Sequence, residues 1–322
     1  MKRFLIATTA LALAAAVSGG AWLYEGQFGS YGQGNGQFYG LYGIAVNPHT
    51  GYVYACDAYN HRIQYFTSTG SYLGQWGTKG TGRGQFDTVR GVDVDPDSGW
   101  VYAVDAYSLR VQYFSARGDF LGEWDVPTRN DNLADVAVNT VDDRVYVVHR
   151  GWGDITGYDL AGSMVGSWGR MGHGDGEFWG PNGAAVAPGG DVYIVDLGNF
   201  RMQYFTKNGS FLGKWGSRGS GPGQFDSHCG ADVARYGTVF VTDARNDRLQ
   251  YFTATGSFLG IIRERGQGNG QLWWPADVAL DAGGNRLYVS ENGNNRIQYF
   301  KRDNPTVAPA SLGRVKALFM FK

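Results

Sequence analysis

The sequence has little proline, almost no cysteine and no excess of charge of either sign. Its 322 residues include nine Pro and two Cys, and 28 basic residues stand against 29 acidic ones. Two cysteines allow at most one disulfide, which excludes a disulfide-stapled scaffold. A net charge of −1 without long runs of one sign leaves no basic surface for nucleic acid. We therefore expect no nucleic-acid partner.

Long apolar runs are also missing, except near the N-terminus. Lys2 and Arg3 precede the uncharged run 4–17, and small residues follow as far as Ala21. The run is short for a membrane-spanning helix, which takes about 20 residues, and its layout is typical of a secretory signal peptide. We predict a signal peptide over residues 1–21, a secreted or periplasmic protein, and no membrane span after cleavage. An uncleaved anchor is the alternative.

Glycine and aromatic residues are abundant instead, and they occur in a repeat. The chain has 51 Gly and 15% aromatic residues, which favours short strands and tight turns over helices. The segment 53–77, VYACDAYNHRIQYFTSTGSYLGQWG, returns in five further versions at intervals of 48, 44, 47, 47 and 48 residues. This period is typical of propellers and solenoids. The residues aligned after each VY-type strand are Asp57, Asp105, His149, Asp196, Asp243 and Glu291.

Each unit contains four short segments of alternating polarity, as a propeller blade does. The last unit lacks its fourth segment, and residues 23–29 carry the missing pattern, because Gly29 precedes Phe38 by nine residues as Gly77 precedes Phe86. We predict an all-β, six-bladed β-propeller of four-stranded blades over residues 22–303. The N-terminal strand completes the last blade and closes the ring, and residues 304–322 form a C-terminal tail.

The two cysteines fall in different repeats. Cys56 belongs to the first unit and Cys229 to the fifth, and these units are not neighbours in a ring of six. We expect two separate small side chains rather than a disulfide.

The repeated pattern resembles the NHL repeat family of six-bladed propellers. G-x-G-x-F stands at residues 34–38 and 174–178, G-x-A-V at 43–46 and 183–186, and the hairpins read VYACDAYNHRIQYF and LYVSENGNNRIQYF. The resemblance covers about residues 23–303 and implies the propeller fold, here of a secreted bacterial type. It implies little about chemistry, since the family includes protein-binding, RNA-binding, sensor and enzymatic members.

Five repeats place an acidic residue five positions before an arginine, as in Asp57 and Arg62. Such pairs can meet across their own hairpin, and we interpret them as structural. The third repeat has His149 in the acidic position and Asp154 in the arginine position. This pair is either a general base with its orienting carboxylate or a complementary pair in a degenerate blade.

Metal binding is a second hypothesis. The peptidylglycine amidating lyase resembles this repeat family, and that resemblance implies a zinc site with histidines converging on the channel. Here His61, His149 and His228 lie near strand ends on one face but share no blade position, so their spacing does not support zinc. Asp135 and Asp277 replace the glycine that begins the innermost strand and are candidates for calcium. We expect no cofactor; the metal candidates are Asp135, Asp277 and His228.

The Gly-rich loops before each blade and the turns between second and third strands are predicted to share one face. Aromatic, Asn and Arg side chains on rigidly supported loops suit recognition. We predict a monomeric, non-enzymatic binding or scaffold module for a protein or a glycan. A metal-dependent lyase or lactonase-type enzyme with a site at the channel is the alternative. The predicted binding residues are Tyr59, His61, Tyr107, His149, Trp152, Asp154, Phe200, Arg245 and Asn294.

Overall fold

A computed structural model describes residues 21–127, 132–263 and 265–303. The predicted C-terminal tail and nearly all of the predicted signal peptide lie outside these ranges. In chain order the strands are β1 (Trp22–Phe28), β2 (Ser30–Tyr31), β3 (Gln37–Phe38), β4 (Leu41–Val46), β5 (Val53–Asp57), β6 (Arg62–Phe66), β7 (Tyr72–Trp76), β8 (Val89–Val94), β9 (Val101–Asp105), β10 (Arg110–Phe114), β11 (Phe120–Asp125), β12 (Leu133–Asn139), β13 (Arg144–His149), β14 (Asp154–Asp159), β15 (Met164–Gly169), β16 (Gly183–Val186), β17 (Val192–Asp196), β18 (Arg201–Phe205), β19 (Phe211–Trp215), β20 (His228–Val233), β21 (Val239–Asp243), β22 (Arg248–Phe252), β23 (Phe258–Arg263), β24 (Pro275–Leu280), β25 (Arg286–Glu291) and β26 (Arg296–Arg302). Three-residue 3-10 helices lie at Ala58–Asn60, Leu197–Asn199 and Ala244–Asn246.

The strands form six antiparallel four-stranded sheets, which confirms the predicted propeller. Blades 1 to 5 are β4–β7, β8–β11, β12–β15, β16–β19 and β20–β23, each in chain order. Blade 6 has the order β1–β26–β25–β24, so the N-terminal strand is its outermost member. Trp22 lies opposite Arg302 and Phe28 opposite Ile297 across the β1–β26 pair. The innermost strands contact one another around the ring, and β24 contacts β4. The ring is therefore closed.

The blades pack face to face because their middle strands are apolar on both sides. All five residues of β5 are buried. Trp76 of blade 1 packs on Phe114 of blade 2, with ring centroids 5.5 Å apart. The Tyr54 hydroxyl donates to the carbonyl of Ala116 in the next blade at 2.9 Å, and the Tyr288 hydroxyl of blade 6 donates to Ser68 of blade 1 at the same distance. These interfaces thus combine aromatic burial with a tyrosine hydroxyl that donates a hydrogen bond.

The five repeated acid–arginine pairs hold the Gly-rich loops in place. In blade 1, Arg62 Nε donates to Asp57 Oδ2 at 2.7 Å, and its Nη2 donates to the carbonyls of Gly34 and Gln37. Asp57 Oδ1 also accepts from the Tyr39 N–H at 2.7 Å. The carboxylates are fully buried in all five pairs. The other pairs are Asp105–Arg110, Asp196–Arg201, Asp243–Arg248 and Glu291–Arg296.

Cys56 and Cys229 are both free thiols, as expected. Within the part of the chain that the structure describes, no helix has the length and apolar character that crossing a bilayer requires.

Candidate functional site

The central channel opens on the face that carries the Gly-rich loops and the turns between second and third strands. A cavity of about 200 Å³ occupies this end of the channel. The innermost strand of each blade has a first channel-facing residue, which is a glycine or an aspartate. In every blade, the residue directly before it contributes to the lining of the cavity. These six residues form a ring within the lining, and their identity varies from blade to blade. We call it the mouth ring: Tyr42, Arg90, Ala134, Asn182, Cys229 and Ala276.

The mouth ring carries positive charge and neutral polar groups. The Arg90 guanidinium lies over the Tyr42 ring, 5.1 Å from its centroid. Burial raises the pKa of Tyr42 to about 12, and a hydrogen bond between the Tyr42 and Tyr59 hydroxyls, 3.3 Å apart, adds to this shift. The Cys229 thiol donates to the Ser227 carbonyl at 3.3 Å, and burial raises its pKa to about 11. Both groups stay protonated at neutral pH, so the charge of the ring is that of Arg90.

Two carboxylic acids form the floor of this cavity. Asp135 and Asp277 are the first channel-facing residues of blades 3 and 6, and both line the cavity. Asp135 Oδ2 accepts from the Ala184 N–H of blade 4, and Asp277 Oδ2 accepts from the Ile44 N–H of blade 1, each at 3.0 Å. Burial raises the pKa of Asp135 to about 7 and holds the pKa of Asp277 well above its ordinary value, with the Asp135 charge adding to the Asp277 shift. Each carboxylate also joins its blade to the next.

A second pair of carboxylic acids lies two residues further along the innermost strands of blades 2 and 5. Asp93 and Asp232 line a cavity of about 330 Å³ at the other end of the channel. Asp93 Oδ2 accepts from the Val138 N–H and Asp232 Oδ2 from the Leu280 N–H, each at 2.8 Å. Burial raises the pKa of Asp93 to about 7 and that of Asp232 to about 6. These two residues were not predicted as site residues.

The metal hypothesis finds limited support in this arrangement. Among the described residues, no group of three or more His, Cys, Asp or Glu side chains is placed to hold a metal ion. His61 Nδ1 lies 2.6 Å from the Asp87 carbonyl oxygen, away from the floor. The His228 side chain lies outside the described part of the structure. Asp135 and Asp277 alone carry the calcium hypothesis, and the expectation of no cofactor stays a prediction.

Exposed aromatic side chains surround the mouth. Tyr107 is 61% exposed, Tyr59 51% and Trp152 49%. Phe200, in contrast, is half-buried beneath the Arg218 guanidinium, which lies 5.2 Å from its ring centroid. We call the exposed set the aromatic rim: Tyr31, Tyr39, Tyr59, Tyr107, Trp152, Trp179 and Trp274.

Two other predicted binding residues have different surroundings. Arg245 is exposed and lies 3.7 Å from the Asp226 carboxylate. Asn294 Nδ2 donates to the Gly266 carbonyl at 3.0 Å and to Glu291 Oε2 at 2.6 Å. The amide of Asn294 is therefore used in holding the Gly-rich loop of blade 6.

A depression lies beside the turn between the second and third strands of blade 3. His149 is 3% exposed, and its Nε2 lies 3.1 Å from Thr156 Oγ1. Asp154 lies opposite His149 in the β13–β14 register. Both line a depression of about 620 Å³, together with Trp152 and Arg170. The structure thus brings three predicted residues together, although His149 itself lies beneath the surface.

The comparisons with known proteins agree with the fold. Two segments of the chain match the NHL repeat. They cover residues 178–205 and 272–300, each running from the end of a Gly-rich loop through the third strand of its blade. No curated protein matches the chain.

Three solved structures share the architecture at low sequence identity. A gluconolactonase from Xanthomonas campestris has 13% identity and a TM-score of 0.62, over 88% of this chain and 98% of that one. The hydrazine synthase of Kuenenia stuttgartiensis has 11% identity and a TM-score of 0.60, over 85% and 99%. A streptogramin B lyase has 11% identity and a TM-score of 0.59, over 88% and 98%. At these identities the likeness shows the fold alone.

Arg90 and Arg150, the two arginines of the cavity, were not predicted from the sequence, although the repeats contain a signal for them. The position before each channel-facing residue reads Tyr, Arg, Ala, Asn, Cys and Ala in the six repeats. The position after the aligned acid or histidine is Arg150 in blade 3, but Ala58, Ala106, Leu197, Ala244 and Asn292 elsewhere. Repeat copies that differ at a channel-facing position are candidates for a ligand site, because the scaffold alone would keep them alike.

Proposed function

We propose that this protein is a binding module that recognises a protein partner through the face around the channel mouth. The observation that carries the proposal is the aromatic rim, whose seven members are 42–66% exposed. Large exposed apolar groups on one face mark interaction sites, and Tyr and Trp anchor most protein interfaces.

The rim is supported rigidly. The Arg62 guanidinium holds the loop that carries Tyr31 and Tyr39 through the Gly34 and Gln37 carbonyls. Side chains on a pre-ordered loop lose little conformational entropy on binding. Exposed Arg245 and Met171, which is 54% exposed, lie among the aromatic residues. Met and Arg accompany Tyr and Trp at protein interfaces, which favours a protein over a glycan.

The test is a double substitution, Tyr107→Ser with Trp152→Ser, compared with Tyr236→Ser. Tyr236 is 67% exposed and lies between β20 and β21, on the opposite face. Tagged proteins are used to capture partners from the medium and periplasmic fraction of the source organism, and the bound proteins are quantified by mass spectrometry. We expect the double variant to lose the captured protein, the Tyr236 variant to keep it, and both to melt as the wild type does.

Equal capture by the double variant and the wild type would reject this face. Capture of an oligosaccharide with no accompanying protein would replace the protein by a glycan as partner.

The second candidate is a metal-dependent lyase or lactonase-type enzyme. It is favoured by Asp135 and Asp277, whose carboxyl groups face the same cavity and interact electrostatically. A divalent cation would stabilise both in the ionised form. Calcium or zinc added to EDTA-treated protein should then raise the melting temperature, and Asp277→Asn should abolish that shift. No shift with either ion removes this candidate.

A further inference from the structure

Two arginines of neighbouring blades lie at the channel mouth without an ion pair to any residue that the structure describes. Arg90 belongs to the mouth ring, and Arg150 follows β13 and lines the same cavity. Both are half-buried. Across residues 21–127, 132–263 and 265–303, neither guanidinium forms an ion pair or donates a hydrogen bond; Arg90 has only its contact with the Tyr42 ring.

The repeated arginines of the scaffold behave differently. Each of the five lies 2.7–3.3 Å from a buried carboxylate oxygen. A half-buried guanidinium loses hydration and regains stability only through an anion or an acceptor. For Arg150, burial lowers the pKa, and the nearby positive charge of Arg90 lowers it further. The two positive charges repel each other in this small cavity, and a negative group between them would remove that repulsion.

Among the described residues around the two arginines, only the carboxylic acids of the floor can supply negative charge, and Asp135 is only partly ionised at neutral pH because its pKa is about 7. The raised pKa values of Tyr42 and Cys229 keep both protonated. Asp135 and Asp277 lie beneath, but burial raises the pKa of both, and their Oδ2 atoms accept N–H groups of the next blade.

We propose that the channel mouth binds a small organic carboxylate, whose carboxylate group is held by the guanidiniums of Arg90 and Arg150. A guanidinium presents its N–H groups in a planar fork that matches a carboxylate. The cavity of about 200 Å³ limits the ligand to a small molecule. This site goes beyond the proposed protein-binding face, because its occupation requires no protein partner.

The walls of the cavity favour an organic anion over inorganic phosphate. Leu197 and Trp274 line it beside the two arginines. Trp274 is 42% exposed and has a backbone φ of 52°. Its backbone N–H donates to Asp247 Oδ1 at 2.9 Å. The equivalent residues Gly40, Gly180 and Ser227 share this left-handed conformation, so it belongs to the repeated scaffold. The acidic floor opposes a doubly charged phosphate more than a singly charged carboxylate.

Isothermal titration calorimetry of sodium benzoate into the full-length protein tests the proposal. EDTA is present throughout, so that a bound cation cannot supply the positive charge. Benzoate should bind, and the neutral isostere benzamide should not. Arg90→Met and Arg150→Met should each weaken benzoate binding at least tenfold. The matched control is Arg235→Met, an exposed arginine at the opposite end of the same channel, which should leave binding unchanged.

Lysine variants keep the test valid if a methionine variant does not fold. Arg90→Lys and Arg150→Lys retain the charge but lose the fork, so they should weaken benzoate binding without abolishing it. Benzoate binding that is equal in wild type and both methionine variants would overturn the site. Phosphate binding without benzoate binding would overturn the ligand class. Benzoate binding that appears only in a separate titration with calcium in place of EDTA would overturn the role of the arginines. Partner capture by a protein that binds no benzoate would refute this site and leave the proposed function standing.

Discussion

At the scale of single residues, two arginines that each pair with a carboxylate contribute differently to stability because they differ in burial. Arg62 is almost fully buried beside a fully buried Asp57 and also donates to the Gly-rich loop. Arg170 lies 2.6 Å from Glu177, but its side chain is 79% exposed. A buried pair that loses one partner leaves an uncompensated charge, whereas an exposed pair is screened by water.

Arg62→Met should therefore lower the free energy of unfolding by about 3–5 kcal/mol, because the buried Asp57 loses its ion pair and two loop carbonyls lose the hydrogen bonds from the guanidinium. Arg170→Met should lower it by less than about 1 kcal/mol. Urea unfolding followed by circular dichroism measures both. Similar losses for the two variants would contradict the structural role assigned to the repeated pair.

At the scale of an element, the outermost strand of five blades carries a glycine that a tyrosine of the adjacent strand covers. In blade 6 this glycine is Gly26 of β1, and a Cβ there would lie against the Tyr299 hydroxyl. In blade 3 the tyrosine is replaced by Gly157, and a Cβ on Gly166 would meet no heavy atom within 4 Å. A glycine-to-alanine substitution would therefore clash with a tyrosine in blade 6 and find open space in blade 3.

Gly26→Ala should destabilise the protein by about 1–3 kcal/mol through overpacking. Gly166→Ala should be neutral or stabilise it by up to about 1 kcal/mol, because alanine restricts the unfolded chain. Melting temperatures compare the two variants. A neutral Gly26→Ala would mean that β1 does not occupy the edge of blade 6 in solution.

At the scale of the whole molecule, four carboxylic acids connect the blades through the channel. Asp93, Asp135, Asp232 and Asp277 each accept an N–H of the following blade. Burial raises the pKa of all four. The folded state therefore binds more protons than the unfolded state, whose Asp pKa is about 3.9. Stability from these groups is present below about pH 4 and is lost as pH rises through the folded pKa values, from about 6 to about 7 for three of them.

The free energy of unfolding should accordingly fall between pH 5 and pH 8. Because water reaches the channel, the loss per carboxyl group should be on the order of 1 kcal/mol rather than the full value of its shift. Asp93→Asn removes one titrating group and should make the fall shallower, even if the variant is less stable overall. Urea titrations at several pH values measure the slope, and identical slopes for variant and wild type would refute the assignment.

The fold could be predicted from the sequence because its determinants are local and repeated. The segment 53–77, which defines the repeat, contains the strands Val53–Asp57, Arg62–Phe66 and Tyr72–Trp76 of one blade. The closing strand was also predictable, because the spacing from Gly29 to Phe38 matches that of the other repeats. Alternating polarity and turn glycines specify each blade from its own residues.

The candidate site was predicted only in part, because side chains from different blades compose it. The exposed positions of Tyr59, Tyr107 and Trp152 agree with their assignment to loops. His149 is buried against Thr156, which lies on the neighbouring strand of blade 3. The aligned acidic residues of the other five blades are buried as well, but which side chains a buried residue contacts is decided by the packed blade.

The sequence by itself determined the six-bladed ring, its closure and the face on which the loops lie. Each repeat contains its own turn residues and its own alternation of apolar and polar residues, and the number of repeats fixes the number of blades. Only the tertiary structure decided which residues meet. It placed Arg90, Arg150, Asp135 and Asp277 around one cavity, although they come from three blades. The physical reason is that ring closure brings one position of every blade to the same axis, and the charges there interact through space rather than along the chain.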